Sequence, residues 1–356
     1  MIPQRLGAHL SPGIWAALVS ALLFGASTPF AKILTGDVSP ILLAGLLYLG
    51  SGVGLGLWAF ARGRKPTMAL LSKRDLPWLA SAVILGGIVA PVFLMSGIAT
   101  TPGSTASLLL NLEAVFTAFL AWCVFRENFD KRIAAGMVLI VLGGMVLSWQ
   151  AGGGFMPSVG WLAIVGACFC WALDNNFTQK ISAADPLQIA AIKGLVAGTS
   201  NVVAALLMGS MFPGATVVGA ALGVGLAGYG MSLVLFVVAL RNLGTARTSA
   251  YFSIAPFVGA VFSLILFDEI PGPSLVVAGL FMAAGVWLHL AERHIHEHEH
   301  PALFHSHSHS HDEHHQHRHE ITNQEESHTH LHEHAPLFHS HPHYPDLHHR
   351  HGHDKE

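Results

Sequence analysis

The sequence predicts an all-α integral membrane protein of ten transmembrane helices, built as two inverted five-helix repeats and followed by a disordered His-rich tail. Three observations carry that prediction. Hydrophobic residues make up 52% of the 356 and charged residues only 11%, with a mean hydropathy of +0.52; soluble domains carry about 25% charged residues. Basic residues then fall on alternate loops only. Finally, the second half of the apolar region repeats the first.

Windows of about 20 apolar residues mark the spans. They lie at 13–34, 39–61, 76–98, 104–125, 131–149, 158–178, 186–208, 215–239, 248–267 and 272–291. The first has the flank of a secretory signal in Arg5 and Ile14–Phe24, but it continues to Leu34 and has a partner in mid-chain, so it reads as a retained span. One set of loops holds Arg5, then Arg62, Arg64, Lys65, Lys73 and Arg74, then Arg126, Lys131 and Arg132, then Lys180, then Arg241 and Arg247. The other set (35–38, 99–103, 150–157, 209–214, 268–271) holds no Lys or Arg. The positive-inside rule therefore predicts cytoplasmic N- and C-termini and a cell (inner) membrane location. Domains follow as a cytoplasmic segment 1–12, a first repeat 13–149, a second repeat 158–291 and a cytoplasmic tail 292–356.

The repeat is legible residue by residue. TPGSTASLLLNLEAVFTAFLAWCVFRE (101–127) lies over LGTARTSAYFSIAPFVGAVFSLILFDE (243–269) at a shift of 142, which sets Ser107 on Ser249, Phe125 on Phe267 and Glu127 on Glu269. GIWAALVSALLFGASTPFAK (13–32) is similar to GWLAIVGACFCWALDNNFTQK (160–180) with a one-residue slip. Five spans is an odd number, so the second copy enters the membrane from the opposite side. Inverted repeats are common among secondary transporters, where two halves rock about a shared site near the bilayer midplane. Small residues at Gly50, Gly52, Gly54 and Gly56, at Gly194 and Gly198, and at Gly219 and Gly223 predict close helix packing. Pro29, Pro91 and Pro256 lie inside spans and free backbone carbonyls there. Cys123, Cys168 and Cys170 all lie in apolar runs and read as packing residues, with no disulfide framework.

Charged residues inside a bilayer cost about 3 kcal/mol on insertion scales, and those that persist usually have a use. Here they are Lys32, Glu113, Asp174 and Lys193. Asp174 lies six residues, about 9 Å, before Lys180 at the inner end of the sixth span, and Lys193 about 10 Å inside the start of the seventh, at 1.5 Å per residue. Consecutive helices and equal depth predict that the two pair, either as a register-fixing ion pair or as a substrate or coupling-ion site. Asn175, Asn176, Gln179 and Gln188 make this the most polar patch of the spans. Lys32 sits near the outer end of the first span, where it can snorkel to headgroups. Glu113, flanked by Asn111, lies near mid-membrane, too deep to reach water by stretching, which suits a proton-coupling group. The candidate transport and coupling residues are thus Glu113, Asn111, Asp174, Asn175, Lys193 and Lys32.

Residues 13–291 resemble the drug/metabolite transporter superfamily, EamA type. The ten-span 5+5 layout carries the resemblance, together with FGASTPFAK in the first span and the paired ends AFLAWCVFREN (118–128) and LILFDE (264–269). It implies export or import of small metabolites such as amino acids, sugars or purines, usually without ATP. The family commonly has proline in the middle of the fourth and ninth spans. Pro256 keeps it here, whereas the matching position is Ala114, preceded by Glu113.

The tail holds 23 of the 25 histidines and is too charged, polar and rich in His and Pro to build a core. HEHEHPALFHSHSH (296–309) returns as HLHEHAPLFHSHPH (330–343), 34 residues on. Neutral imidazole binds Zn, Ni, Cu and Co ions. The metal-ligating candidates are His296, His298, His300, His305, His307, His309 and His311 in the first copy, and His330, His332, His334, His339, His341 and His343 in the second.

The function these features predict is secondary active transport of small metabolites, amino-acid or related compounds, in the direction of export, with a metal-binding tail. A divalent-metal (Zn, Ni or Co) exporter and a non-transporting membrane metal sensor are the alternatives. No phosphate-binding loop or nucleophile set is present, so an enzyme is not expected, and no cofactor is required. Expected partners are a small-molecule substrate, the lipid bilayer, divalent metal ions and a second copy of the chain in a homodimer, with no nucleic acid.

Overall fold

The computed structural model describes residues 12–61, 71–124, 131–150, 154–155, 158–290 and, in the tail, 295–300, 303–309, 328–334 and 337–342. Arg5, Arg62, Arg64, Lys65, Arg126, Glu127, His311 and His343 lie outside the described residues. Two units are distinct, one helical and one formed by Arg293–Tyr344.

The helical unit runs α1 (Pro12–Leu34), α2 (Pro40–Ala61), α3 (Leu76–Thr100), α4 (Gly103–Leu109, resuming as Leu112–Cys123) and α5 (Lys131–Ser148). The second half runs α6 (Val159–Ile181), α7 (Pro186–Leu207), α8 (Ala215–Leu243), α9 (Thr245–Phe252, resuming as Ala255–Leu266) and α10 (Pro273–Leu290). Among the described residues seven helices are long and apolar enough to cross a membrane, and α5 and α10 carry shorter apolar runs at Ala134–Leu147 and Pro273–Leu288. The remaining one, α6, has 23 residues and spends part of its length on the polar run Asp174-Asn175-Asn176.

Burial is distributed as a bilayer requires. Phe60, Ile265 and Trp287 are 88%, 71% and 66% exposed, whereas Asn111, Glu113, Asp174, Asn176, Lys193 and Asn201 are buried. Lipid tails take large apolar side chains without cost, and polar groups must then find partners within the bundle.

The duplication extends to irregular features. A π-helical turn at Val83–Val89 inside α3 returns at Gly225–Met231 inside α8, 142 residues on (83 to 225). Lys131–Ser148 returns as Pro273–Leu290 at the same shift. Pro12–Leu34 returns as Val159–Ile181 at a shift of 147 (12 to 159), and Pro40–Ala61 as Pro186–Leu207 at 146 (40 to 186). Helices α2 and α7, which are copies, pack on each other, as do the copies α5 and α10. Helix α1 lies against α8 and α9, as α6 lies against α3 and α4.

The α2–α7 crossing uses the glycines singled out in the sequence. A Cβ on Gly194 would come within 2.5 Å of the Gly52 amide nitrogen, and one on Gly198 within 2.5 Å of that of Leu49. Gly219 and Gly223 face open space within the unit, so their spacing does no packing here.

The span read as one run at 104–125 is broken at Leu110-Asn111. The Glu113 amide donates to the Leu110 carbonyl at 3.0 Å, a tighter turn than an α-helix makes, and the Asn111 side chain donates to the Leu108 carbonyl at 3.3 Å. An Asn amide that takes a local backbone carbonyl competes with the helical ladder. The copy in α9 breaks at Ser253-Ile254, where Ser253 Oγ donates to the Ser249 carbonyl at 2.8 Å.

Outside the helices, β1 (Trp149–Gln150) pairs antiparallel with β2 (Gly154–Phe155) in the linker between the halves. The tail unit carries β3 (Ile295–His300) against β6 (Leu337–Pro342) and β4 (Leu303–His309) against β5 (His328–His334), both antiparallel. Among the described residues, the tail shows this backbone pairing of the first repeat copy with the second. Isolated two-stranded ladders lack a second layer to bury and are marginal by themselves.

Candidate functional site

A cavity with ≈ 450 Å³ of empty space, its open mouth included, lies within the helical unit, lined by Glu113, Asp174, Asn175, Lys193, Ser232 and Gly228 among aromatic rings from Phe24, Tyr48, Trp171, Tyr229, Phe236 and Phe252. Each polar group is positioned by its helix. Glu113 stands in the first turn of the second segment of α4, where the partial positive charge of a helix N-terminus favours a carboxylate. Asp174 and Asn175 come from α6 and Lys193 from α7, so the wall draws on both halves.

The ion pair expected from the sequence forms. Lys193 Nζ donates to both Asp174 carboxylate oxygens at 2.5 Å, and Thr178 Oγ1 donates to Oδ1 at 2.9 Å. Lys193 is 1% exposed and Asp174 4%, so neither charge has water to fall back on. Glu113 is bound differently. It accepts from Asn175 Nδ2 at 2.8 Å, and it is not ion-paired among the described residues. Counting formal charges, Glu113, Asp174 and Lys193 leave one negative charge over, which a proton or a cationic ligand neutralises.

The first π-turn shapes one wall. Because the Ala90 amide donates to Leu85 rather than to Gly86, the Gly86 carbonyl loses its α-helical donor. Tyr48 hydroxyl fills it at 2.7 Å and Trp171 Nε1 at 3.0 Å. Pro91 has no amide proton to offer Gly87, whose carbonyl accepts from Asn201 Nδ2 at 3.3 Å. A Cβ on Gly86 would overlap the Asp174 carboxylate, so glycine is needed for that close approach.

Glu113, Asp174, Asn175 and Lys193 therefore meet at one cavity, while Lys32 and Asn111 do not line it. Asn111 serves the α4 break. Lys32 donates to the carbonyls of Ile98 and Thr101 at 2.8 and 2.7 Å, closing the C-terminus of α3 instead of reaching toward headgroups. Sequence reasoning missed the aromatic wall. Its one signal was the repeat itself, since Phe24 and Trp171 are equivalent (24 to 171, the α1-to-α6 shift) and touch edge to face at 5.5 Å.

It also missed Glu269. From the loop after α9, its carboxylate accepts from the amides of Gly103 and Ser104 at 2.7 and 3.1 Å and from Ser104 Oγ, so the second half caps α4 of the first. Loss of a side-chain N-cap costs about 0.5–2 kcal/mol. Glu269→Ala is expected to destabilise the detergent-purified protein by that margin and so lower its thermal midpoint, whereas an unchanged midpoint would show the cap to be energetically idle.

Among the described residues no group of three or more His, Cys, Asp or Glu side chains converges as a metal site. The backbones of His296, His298, His300, His305, His307, His309, His330, His332, His334, His339 and His341 lie on the described tail strands, and their side chains lie outside the description.

A family model, the EamA-like transporter family, matches residues 11–149 and again 158–291. The chain is similar to an uncharacterized transporter of Methanothermobacter thermautotrophicus, 26% identical over 300 residues covering 78% of this chain and 85% of that protein. A probable terminal-alkyne amino-acid exporter of Streptantibioticus cattleyicolor is 24% identical over 284 residues, 78% of this chain and 93% of its own. A probable amino-acid metabolite efflux pump of Salmonella typhimurium is 28% identical over 177 residues, 48% of this chain and 54% of its own. One solved crystal structure shares the fold with a TM-score of 0.61 at 20% identity, covering 77% of this chain and 95% of that one. Two copies of one family domain on a duplicated ten-helix frame leave one assignment: the chain belongs to the EamA-like transporter family and is a multi-pass membrane transporter of small molecules.

Proposed function

We propose that the protein is a secondary active exporter of amino acids or closely related metabolites across the cytoplasmic membrane, with both termini in the cytoplasm and Glu113 as the coupling group. The observation that carries this reading is the cavity shared by the two halves, in which an unpaired carboxyl and a buried ion pair face six aromatic side chains. Charged and apolar walls together suit a small organic molecule with a charged head. Relatives named as amino-acid exporters or efflux pumps support the substrate class, and the one-sided distribution of basic loop residues supports the orientation.

The test is efflux from proteoliposomes loaded with single labelled amino acids, with and without an inward pH gradient. Gradient-dependent loss of at least one amino acid supports the reading. Failure of every amino acid, against sustained flux of another metabolite class, would overturn the substrate assignment.

The tail, in the same proposal, binds divalent transition metals and tunes transport. Its tandem histidine unit supports this. Zinc titration of the full chain is expected to register several ions that are lost on deleting 292–356, with basal efflux retained. Equal binding by both forms would dismiss the tail as the metal site.

A further inference from the structure

The two π-turns are copies, but only one of them is filled. A π-turn's amide reaches back five residues, and the carbonyl it skips needs another donor. In α3 the skipped carbonyl is Gly86, and Tyr48 and Trp171 supply that donor. In α8 the Ser232 amide donates to Ala227, so the skipped carbonyl is Gly228. Among the described residues no side chain donates to it. The positions equivalent to the two plugs explain why. Trp171 corresponds to Phe24 and Tyr48 to Gly194 (48 to 194, the α2-to-α7 shift), and neither side chain has a donor.

A second observation points the same way. The Tyr229 hydroxyl, next along the same turn, is buried, with the residue 4% exposed, and has no hydrogen-bond partner among the described residues. Its ring lies 5.7 Å from that of Phe24 and 5.4 Å from that of Tyr48. Gly228, Tyr229, Phe24 and Tyr48 all line the cavity. An unsatisfied buried hydroxyl and a skipped carbonyl on consecutive residues of one cavity, within an aromatic wall, make a site lacking its ligand's donors.

We propose that the second π-turn is the ammonium subsite of the transported molecule. A primary ammonium donates to the Gly228 carbonyl, taking the place that Tyr48 and Trp171 take at Gly86, and the Tyr229 hydroxyl oxygen accepts from a second donor of the same molecule. The surrounding aromatic rings favour a cation there. This inference rests on the transport reading above and narrows its substrates to compounds with a free primary ammonium, excluding their N-acylated forms.

Phe24→Trp tests it most directly, because it restores at the second turn the indole N–H that Trp171 provides at the first, and so plugs the site. Tyr229→Phe removes the hydroxyl and keeps the ring. The probes are the common L-amino acids, each paired with its N-acetyl derivative, and the readouts are ligand-induced thermal stabilisation of the purified full chain and efflux from proteoliposomes. The wild type is expected to prefer the free amine, and each variant to raise its half-saturating concentration about tenfold or more, the scale of a hydrogen bond to a charged group. Equal recognition of amine and N-acetyl forms by the wild type would overturn the subsite. So would wild-type affinity in both variants, and in that case continued amino-acid efflux leaves the transport reading standing. Absence of any amino-acid efflux from the wild type would remove both.

Discussion

Lys193→Met is expected to destabilise the helical unit by about 3–5 kcal/mol, the cost of leaving a buried charge without its partner. Lys193 is the largest fully buried side chain of the described residues, and both its neighbouring acceptors belong to Asp174. With the ammonium gone, the Asp174 carboxylate keeps only Thr178, and a Cβ-less Gly86 against it gives it nothing to bond. Combining Lys193→Met with Asp174→Leu is expected to recover most of the loss, since apolar replacement of a whole buried pair is often close to neutral. Thermal midpoints of the three variants in one detergent decide the matter. If the double variant is no more stable than the single, the pair is not what holds α6 to α7.

Glu113→Gln is expected to reduce gradient-driven efflux to the level of empty vesicles while leaving the protein folded. The glutamine keeps an oxygen to accept the Asn175 amide, now made at 2.8 Å, so the local hydrogen bond survives. What it loses is the single carboxyl in the cavity that lacks a cationic partner, and with it the means to take up and release a proton. Substrate exchange at equal pH on both sides separates coupling from binding. Retained exchange with lost pH dependence is the expected pair of results, and efflux that still follows the gradient would sink the coupling role.

The parts of this molecule legible in the sequence are those that a bilayer penalises. Ten spans, the duplication and the Asp174–Lys193 pair all follow from where apolar runs and rare charges sit, because misplacing either costs several kcal/mol. The α4 break was not legible. It depends on an Asn111 amide choosing a backbone carbonyl, and α9 reaches the same break through Ser253, so no shared motif announces it. The π-turns were hidden for a related reason. Their cost is one skipped carbonyl each, and the residues that settle it lie far along the chain, at Tyr48 and Trp171 for Gly86. The role of Lys32 was not legible either, because the carbonyls of Ile98 and Thr101 to which it donates lie 66 and 69 residues along the chain.

The matching irregularities of the two halves have a consequence for motion. Each half holds its own version of the same bent helix, the same broken helix and the same neighbours, in slightly different shapes. For a transporter of the kind proposed above, in which two inverted halves rock about a shared site, each half is a template for the shape the other takes in the opposite-facing state. Under that proposal, the two unequal halves carry between them the outline of the opposite-facing state.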